Sequence, residues 1–167
     1  MIVTASLLTL GLSCIMPGQY RIYRVAQSKT VSSPGCYPDG IPESEAQDTT
    51  TFRTGATFAI FAADTKVYFL DMGSGEGAMT IEGERDGRDY SFSGTDVDVE
   101  PSSDNTITTT LTVTVDATIK GKKITGTSVT DTRSTCTGQN CPNGTMCTTT
   151  TDFEGSEMKD VELEHPV

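Results

Sequence analysis

The chain has 167 residues, with 12 Lys and Arg against 23 Asp and Glu, for a net charge of −11. That length suits one domain with enough material for a real core. The acidic balance is spread along the chain, which speaks against nucleic acid or anionic lipid as a partner, because both call for a basic face. Trp is absent and aromatic content is 7%, so any ligand cage has to rest on Tyr and Phe.

The N-terminal run MIVTASLLTLGLSC carries no charge, ends at Cys14 and gives way at once to polar, turn-rich sequence. A bilayer span needs ~20 apolar residues, so this run has the length of a signal-peptide core instead. With small Gly11 and Ser13 just before the cysteine, it resembles the lipobox leader of bacterial lipoproteins. The resemblance implies a leader over residues 1–14, lipid attachment at Cys14, and an anchored position in the bacterial cell envelope, on its periplasmic or outer-surface side. Gly11 stands where that family usually has Leu, and no Lys or Arg precedes the apolar core; a start codon further upstream would supply the charge. A plain cleaved secretory leader and a buried first strand with Cys14 in the core are the competing readings. Residues 15–167 follow as a single β domain.

Threonine makes up roughly one residue in six, and a β-branched side chain suits a pleated strand better than a helix. Strands are expected near 18–26, 52–62, 66–72, 77–85, 88–99, 105–120, 122–134 and 145–157, with a long polar loop at about 27–50. The clearest is NTITTTLTVTVDATIK, where Ile107, Leu111, Val113, Val115, Ala117 and Ile119 all fall on odd positions. Period-two alternation of that length buries one face and wets the other.

Turn chemistry divides the later strands. Asp86-Gly87 reads as a two-residue hairpin turn, which sets Gly83 opposite Tyr90, Ile81 opposite Phe92 and Met79 opposite Gly94. A second hairpin at Gly121-Lys122 sets Ile119 opposite Ile124 and Ala117 opposite Gly126. Val129 then has the wrong parity, which suggests a bulge at Gly126. Past that point the inward face turns to Thr130, Thr132 and Ser134 against Thr149 and Thr151. Either one end of a barrel is wet, or these strands run beyond the core as a two-sided polar ribbon; the ribbon is preferred.

If Cys14 takes lipid, Cys36, Cys136, Cys141 and Cys147 remain, an even number for an oxidising compartment. A hairpin pairing Cys136 with Cys147 would bring Thr132 to Thr151 and Thr130 to Phe153, leaving Cys36 to bridge Cys141. Zinc competes for these cysteines, with His165 as a further ligand, but no C-x2-C knuckle is present. Neither a metal nor a cofactor is assigned.

Nothing here assembles a catalytic motif. His165 is the only histidine and is third from the end of the sequence, which leaves Ser-His-Asp and Cys-His chemistry without a positioned base. Asp96, Asp98 and Glu100 alternate with Val97 and Val99 as the wet face of a strand. Glu82, Glu84, Asp86 and Asp89 flank a tight turn. Both groups read as solubilising edges, not as a glycosidase pair. The DMGSGEG stretch, Asp71 to Gly77, lacks the spacing of an EF-hand or a phosphate loop and reads as a hairpin connection.

Short connections force a sequential antiparallel meander of about eight strands. Such a meander closes into an up-and-down barrel or, as the less favoured form, folds into a two-sheet sandwich. PGQYRIYRV, a Gly followed two places later by an aromatic residue, is similar to the Gly-x-Trp start of lipocalins, with Tyr20 in place of Trp. The first functional reading is a non-enzymatic, lipid-anchored envelope protein acting as a structural or interaction module, with an envelope protein as partner. The alternative is a lipocalin-like carrier of a small apolar ligand, lined by Tyr20, Ile22, Met79, Ile81, Tyr90, Phe92, Leu111 and Val113.

Overall fold

The computed structural model describes residues 15–47, 52–73, 79–159 and 161. Cys14 and the expected leader, most of the 71–77 connection, and His165 lie outside the described residues. The strands are β1 (Tyr20–Ser28), β2 (Val31–Ser32), β3 (Phe52–Ala62), β4 (Tyr68–Met72), β5 (Met79–Asp86), β6 (Asp89–Pro101), β7 (Asn105–Lys120), β8 (Lys123–Gly138) and β9 (Thr145–Glu157). All but β2 join in sequential antiparallel order, and β9 returns to β1 from Tyr23↔Glu157 to Gln27↔Phe153. The result is a closed, eight-strand, up-and-down barrel, lipocalin-like in its meander, and not a sandwich. Closure pairs the strand edges that an open sheet would expose. The extra strand β2 adds to β9 through Val31↔Thr150 and Ser32↔Thr149.

The expected loop at about 27–50 holds more structure than its polarity suggested. It contains β2, a 3-10 turn over Pro34–Cys36 and a five-residue helix over Glu43–Gln47. Pro42 provides the helix start, its carbonyl accepting from Glu45 and Ala46 N–H groups.

The inward face collects one residue in two from each strand. Tyr23 and Val25 of β1, Phe58 and Ile60 of β3, Leu70 of β4, Phe92 of β6, Val115 and Ile119 of β7 and Ile124 of β8 are all fully buried. Ile81 and Phe92 point to the same side of their hairpin. The hairpin register differs from the expected one, however. The loop is Gly87-Arg88, Asp86 pairs with Asp89, and Gly83 pairs with Phe92. Gly87 takes φ +60° while Arg88 keeps negative φ, the pattern of a turn with glycine at its first central position. Asp86 can then remain in the strand.

The Gly121-Lys122 hairpin stands as expected, with Ile119↔Ile124 and Ala117↔Gly126. The expected bulge at Gly126 is absent, because the β7–β8 ladder continues unbroken from Lys120↔Lys123 to Asn105↔Gly138. Val129 therefore faces outward, opposite Thr114 and Thr150.

The barrel has two unlike ends. At the turn end lie the chain's entry, where Pro17 bridges Ala62, and the tight turns at Gly87 and Gly121. At the loop end, β6 to β9 outrun their neighbours. The β1–β9 ladder stops at Phe153, yet β9 begins at Thr145; the β5–β6 ladder stops at Ser93, yet β6 continues to Pro101. From Leu111, the last residue of β7 packed against the core toward this end, six residues lead back to Asn105. At strand rise that is about 20 Å of sheet beyond the core. Both faces of β7 there are half-buried from Asn105 to Thr110. This is the two-sided polar ribbon.

Candidate functional site

Six of the eight expected lining residues do face the interior: Met79, Ile81, Tyr90, Phe92, Leu111 and Val113. Tyr20 and Ile22 do not. They alternate with Tyr23 and Val25, so they occupy the outer face of β1, where Tyr20 pairs with Phe61 and Ile22 with Ala59. Both phases of YRIYRVA carry apolar side chains, so alternation alone had no preference there. The residue that does enter the interior is Tyr23, which nothing in the sequence marked.

Aromatic side chains and paired glycines fill the barrel. Phe58 meets Phe153 edge-on at 5.0 Å, Tyr68 meets Tyr90 edge-on at 5.4 Å, and Tyr90 stacks on Phe92 at 6.1 Å. Gly83 makes room for Phe92, Gly94 for Ile81 and Gly126 for Phe153; a Cβ at any of the three would collide with that neighbour. Grooves on the wall include one between Arg24 and Glu154 over Ile124 and another between Arg85, Asp89 and Asp116. Neither is lined by Met79, Ile81, Leu111 or Val113.

The most unusual chemistry is at the turn end of the interior. Among the described residues, the hydroxyls of Tyr23 and Tyr90 are buried with no partner at hydrogen-bond geometry, although the Arg21 guanidinium acts on that of Tyr23. Two guanidinium groups lie above them. Arg85 stands over the Tyr90 ring at 5.6 Å, and Arg21 donates to the Gly121 carbonyl at 3.3 Å and lies 3.8 Å from Glu157. Burial pushes the Tyr90 phenol up to about 12, with Arg85 opposing and Tyr68 and Tyr23 adding. Burial likewise raises Tyr23, against the pull of Arg21. A donor left unpaired in such an interior costs about 1–3 kcal/mol. The pair can donate to an acceptor brought in from outside.

The expected cysteine pairing is not the one that forms. Cys36 bonds Cys147, with Cα atoms 4.5 Å apart, and Cys136 bonds Cys141, at 5.4 Å. The cause is register. Cys147 stands opposite Thr132, and Phe153 opposite Gly126, so Cys136 lies past the end of the β8–β9 ladder. It reaches Cys141 within its own loop. Cys147 meets the Pro34–Cys36 turn instead, which is held by Ser33 N–H to the Thr148 carbonyl at 2.8 Å and Thr148 N–H to Ser33 Oγ at 3.0 Å. All four cysteines thus serve the loop end.

The carboxylates are engaged as surface groups. Asp116 accepts from Ser91 Oγ at 2.7 Å, Asp89 from Thr118 Oγ1 at 2.6 Å and Asp152 from Thr127 Oγ1 at 2.8 Å. Asp96, Asp98 and Glu100 are exposed on the edge of the ribbon, where charge discourages a foreign strand from pairing. No protein-family model matches this chain, and no curated protein or solved structure does either. Its function has to be argued from its own side chains.

Proposed function

We propose that the chain is a non-enzymatic, lipid-anchored module of the bacterial cell envelope, whose filled barrel supports a disulfide-stapled ribbon that contacts other envelope components. The observation that carries this reading is the engagement of all four cysteines beyond the leader in two bridges at one end of the barrel, chemistry suited to an oxidising compartment. The ribbon supplies a surface for contacts, since Val97, Val99 and Met146 are apolar side chains left exposed on it. The anchor rests on the lipobox-like run ending at Cys14. Mass spectrometry of protein taken from its own cells tests it. An N-terminal fragment heavier by a lipid, with the added mass lost in Cys14→Ser, is the expected result; an unmodified Cys14 rejects the anchor.

A second reading, a carrier of a small apolar ligand, is favoured by one observation, the unpartnered hydroxyls of Tyr23 and Tyr90. The guest would be apolar with one hydrogen-bond acceptor. Organic extraction of natively purified protein tests it: a stoichiometric small molecule supports the carrier, and an empty extract removes it.

A further inference from the structure

The net charge of −11 conceals an uneven distribution. Eight of the twelve Lys and Arg, namely Arg21, Lys66, Arg85, Arg88, Lys120, Lys122, Lys123 and Lys159, lie at the turn end. Backbone contacts place them on one rim. Glu157 N–H donates to the Lys122 carbonyl at 2.7 Å, Ile119 N–H to the Arg88 carbonyl at 2.9 Å, and Arg21 reaches Gly121. The acids Asp39, Glu43, Asp98, Glu100 and Asp104 belong to the opposite, loop end, while Asp64, Glu84, Asp86, Asp89 and Glu157 share the turn end, leaving it with an excess of basic groups.

The rim is arranged against its own stability. Lys120 stands directly opposite Lys123 across the hairpin, and like charges so placed repel. The ammonium of Lys122 is held below its ordinary value, chiefly by the hydrogen bond and charge of Lys159. Three of the nearby acids have partners: Glu157 lies beside Arg21, Asp89 accepts from Thr118 Oγ1 at 2.6 Å, and Asp64 accepts the N–H groups of Lys66 and Val67 at 2.6 and 2.8 Å. A protein rich in carboxylates has left four lysines mutually exposed. An external anion would relieve them.

The chain's entry point says which anion. Ile15 is 2% exposed and belongs to the core cluster at this same end. Cys14 precedes it directly in the sequence. A lipid on Cys14 would be joined to this end of the barrel and not to the ribbon, so it would favour the lysine rim facing the head groups.

We propose that the turn end docks flat on an anionic phospholipid bilayer, with Lys120, Lys122, Lys123 and Lys159 as the electrostatic contact and the ribbon directed away from the membrane. The inference deepens the anchored reading and rests on it for orientation. A single acyl chain gives only marginal binding, and a basic patch is one of the second signals that make it stable. The overall acidity excluded such a partner only on average; the fold gathers four lysines on one rim.

The test is co-sedimentation of the full chain with phosphatidylglycerol-containing vesicles and with neutral phosphatidylcholine vesicles. The apolar leader or an attached lipid binds both kinds, so the rim is read as the difference between them. The expected result is preference for the anionic vesicles, suppressed by salt, and weakened about fivefold by each of Lys122→Gln and Lys159→Gln. A chain ending at Lys159 is run alongside, because Asp160, Glu162 and Glu164 follow in sequence. Equal partition onto both vesicle types, with and without those residues, overturns the proposal, as does a preference that both glutamine variants retain. Competition by inorganic phosphate at similar strength would also overturn it, showing a small-anion site. An unmodified Cys14 beside a retained anionic preference would reject the anchor and leave the docking face.

Discussion

Phe153 seats its ring over Gly126 on the neighbouring strand, so β8 gives up a side chain where β9 contributes a large one. The two residues are cross-strand partners, and a Cβ at Gly126 would also press on the Asp116 carbonyl of β7. Phe153 has little room to retreat, because Phe58, on β3 just beyond β1, meets it edge-on at 5.0 Å. Gly126→Ala should therefore destabilise the fold by about 1–3 kcal/mol, the usual range for overpacking. Urea unfolding is the measurement, with a lower midpoint and an unchanged slope. A neutral result would mean the interior has slack.

The opposite sign is expected at Tyr90. Its ring packs between Tyr68 and Phe92, but its hydroxyl is buried without a partner. Tyr90→Phe keeps the ring contacts and removes the orphaned donor, so it should stabilise by about 1 kcal/mol. A guest or a bound water accepting from that hydroxyl would reverse the effect, and the variant would then be less stable than the parent. The same substitution thus separates a filled barrel from an occupied one.

Alkaline stability follows from the same phenol. Tyr90 holds its proton to about 12 in the fold, whereas an unfolded tyrosine releases it near 10. Between those values the folded state binds more protons, so this contribution to stability is whole below about pH 10 and is lost as pH rises through 12. Ultraviolet titration of phenolate should show a late phase that coincides with unfolding. Tyr90→Phe should reduce its amplitude, and so should Tyr23→Phe, since burial raises that group as well. A single phase near 10 in the native protein would contradict the burial.

Alternation made the meander legible and left its finer placement open. Ile81 and Phe92 share the interior as their spacing required, yet they are not opposite each other, since Phe92 pairs with Gly83. Sliding one strand by two residues returns every side chain to the same face, so hydrophobic pattern fixes parity and the turn must fix the rest. Gly87 does so by taking the first central place of the turn, as Gly121 does in the next hairpin. The tyrosine pair was harder to foresee. In YRIYRVA either phase could be inward, and only closure of β1 against β9 selects Tyr23 over Ile22. The basic rim was invisible for another reason, because its lysines come from β7, β8 and the segment after β9, and only the topology brings them together.

The two disulfides should differ widely in what they contribute. Cys36–Cys147 spans 111 residues and ties the Pro34–Cys36 turn to β9, while Cys136–Cys141 spans 5 within one loop. On loop-closure entropy the first is worth about 4.7 kcal/mol and the second about 2. Replacing Cys36 and Cys147 together by serine should lower the urea midpoint more than twice as far as replacing Cys136 and Cys141. Non-reducing peptide maps should find Cys36 linked to Cys147 in the parent protein. Equal losses from the two double variants would show that the long closure adds nothing, and that the ribbon is held by its ladders alone.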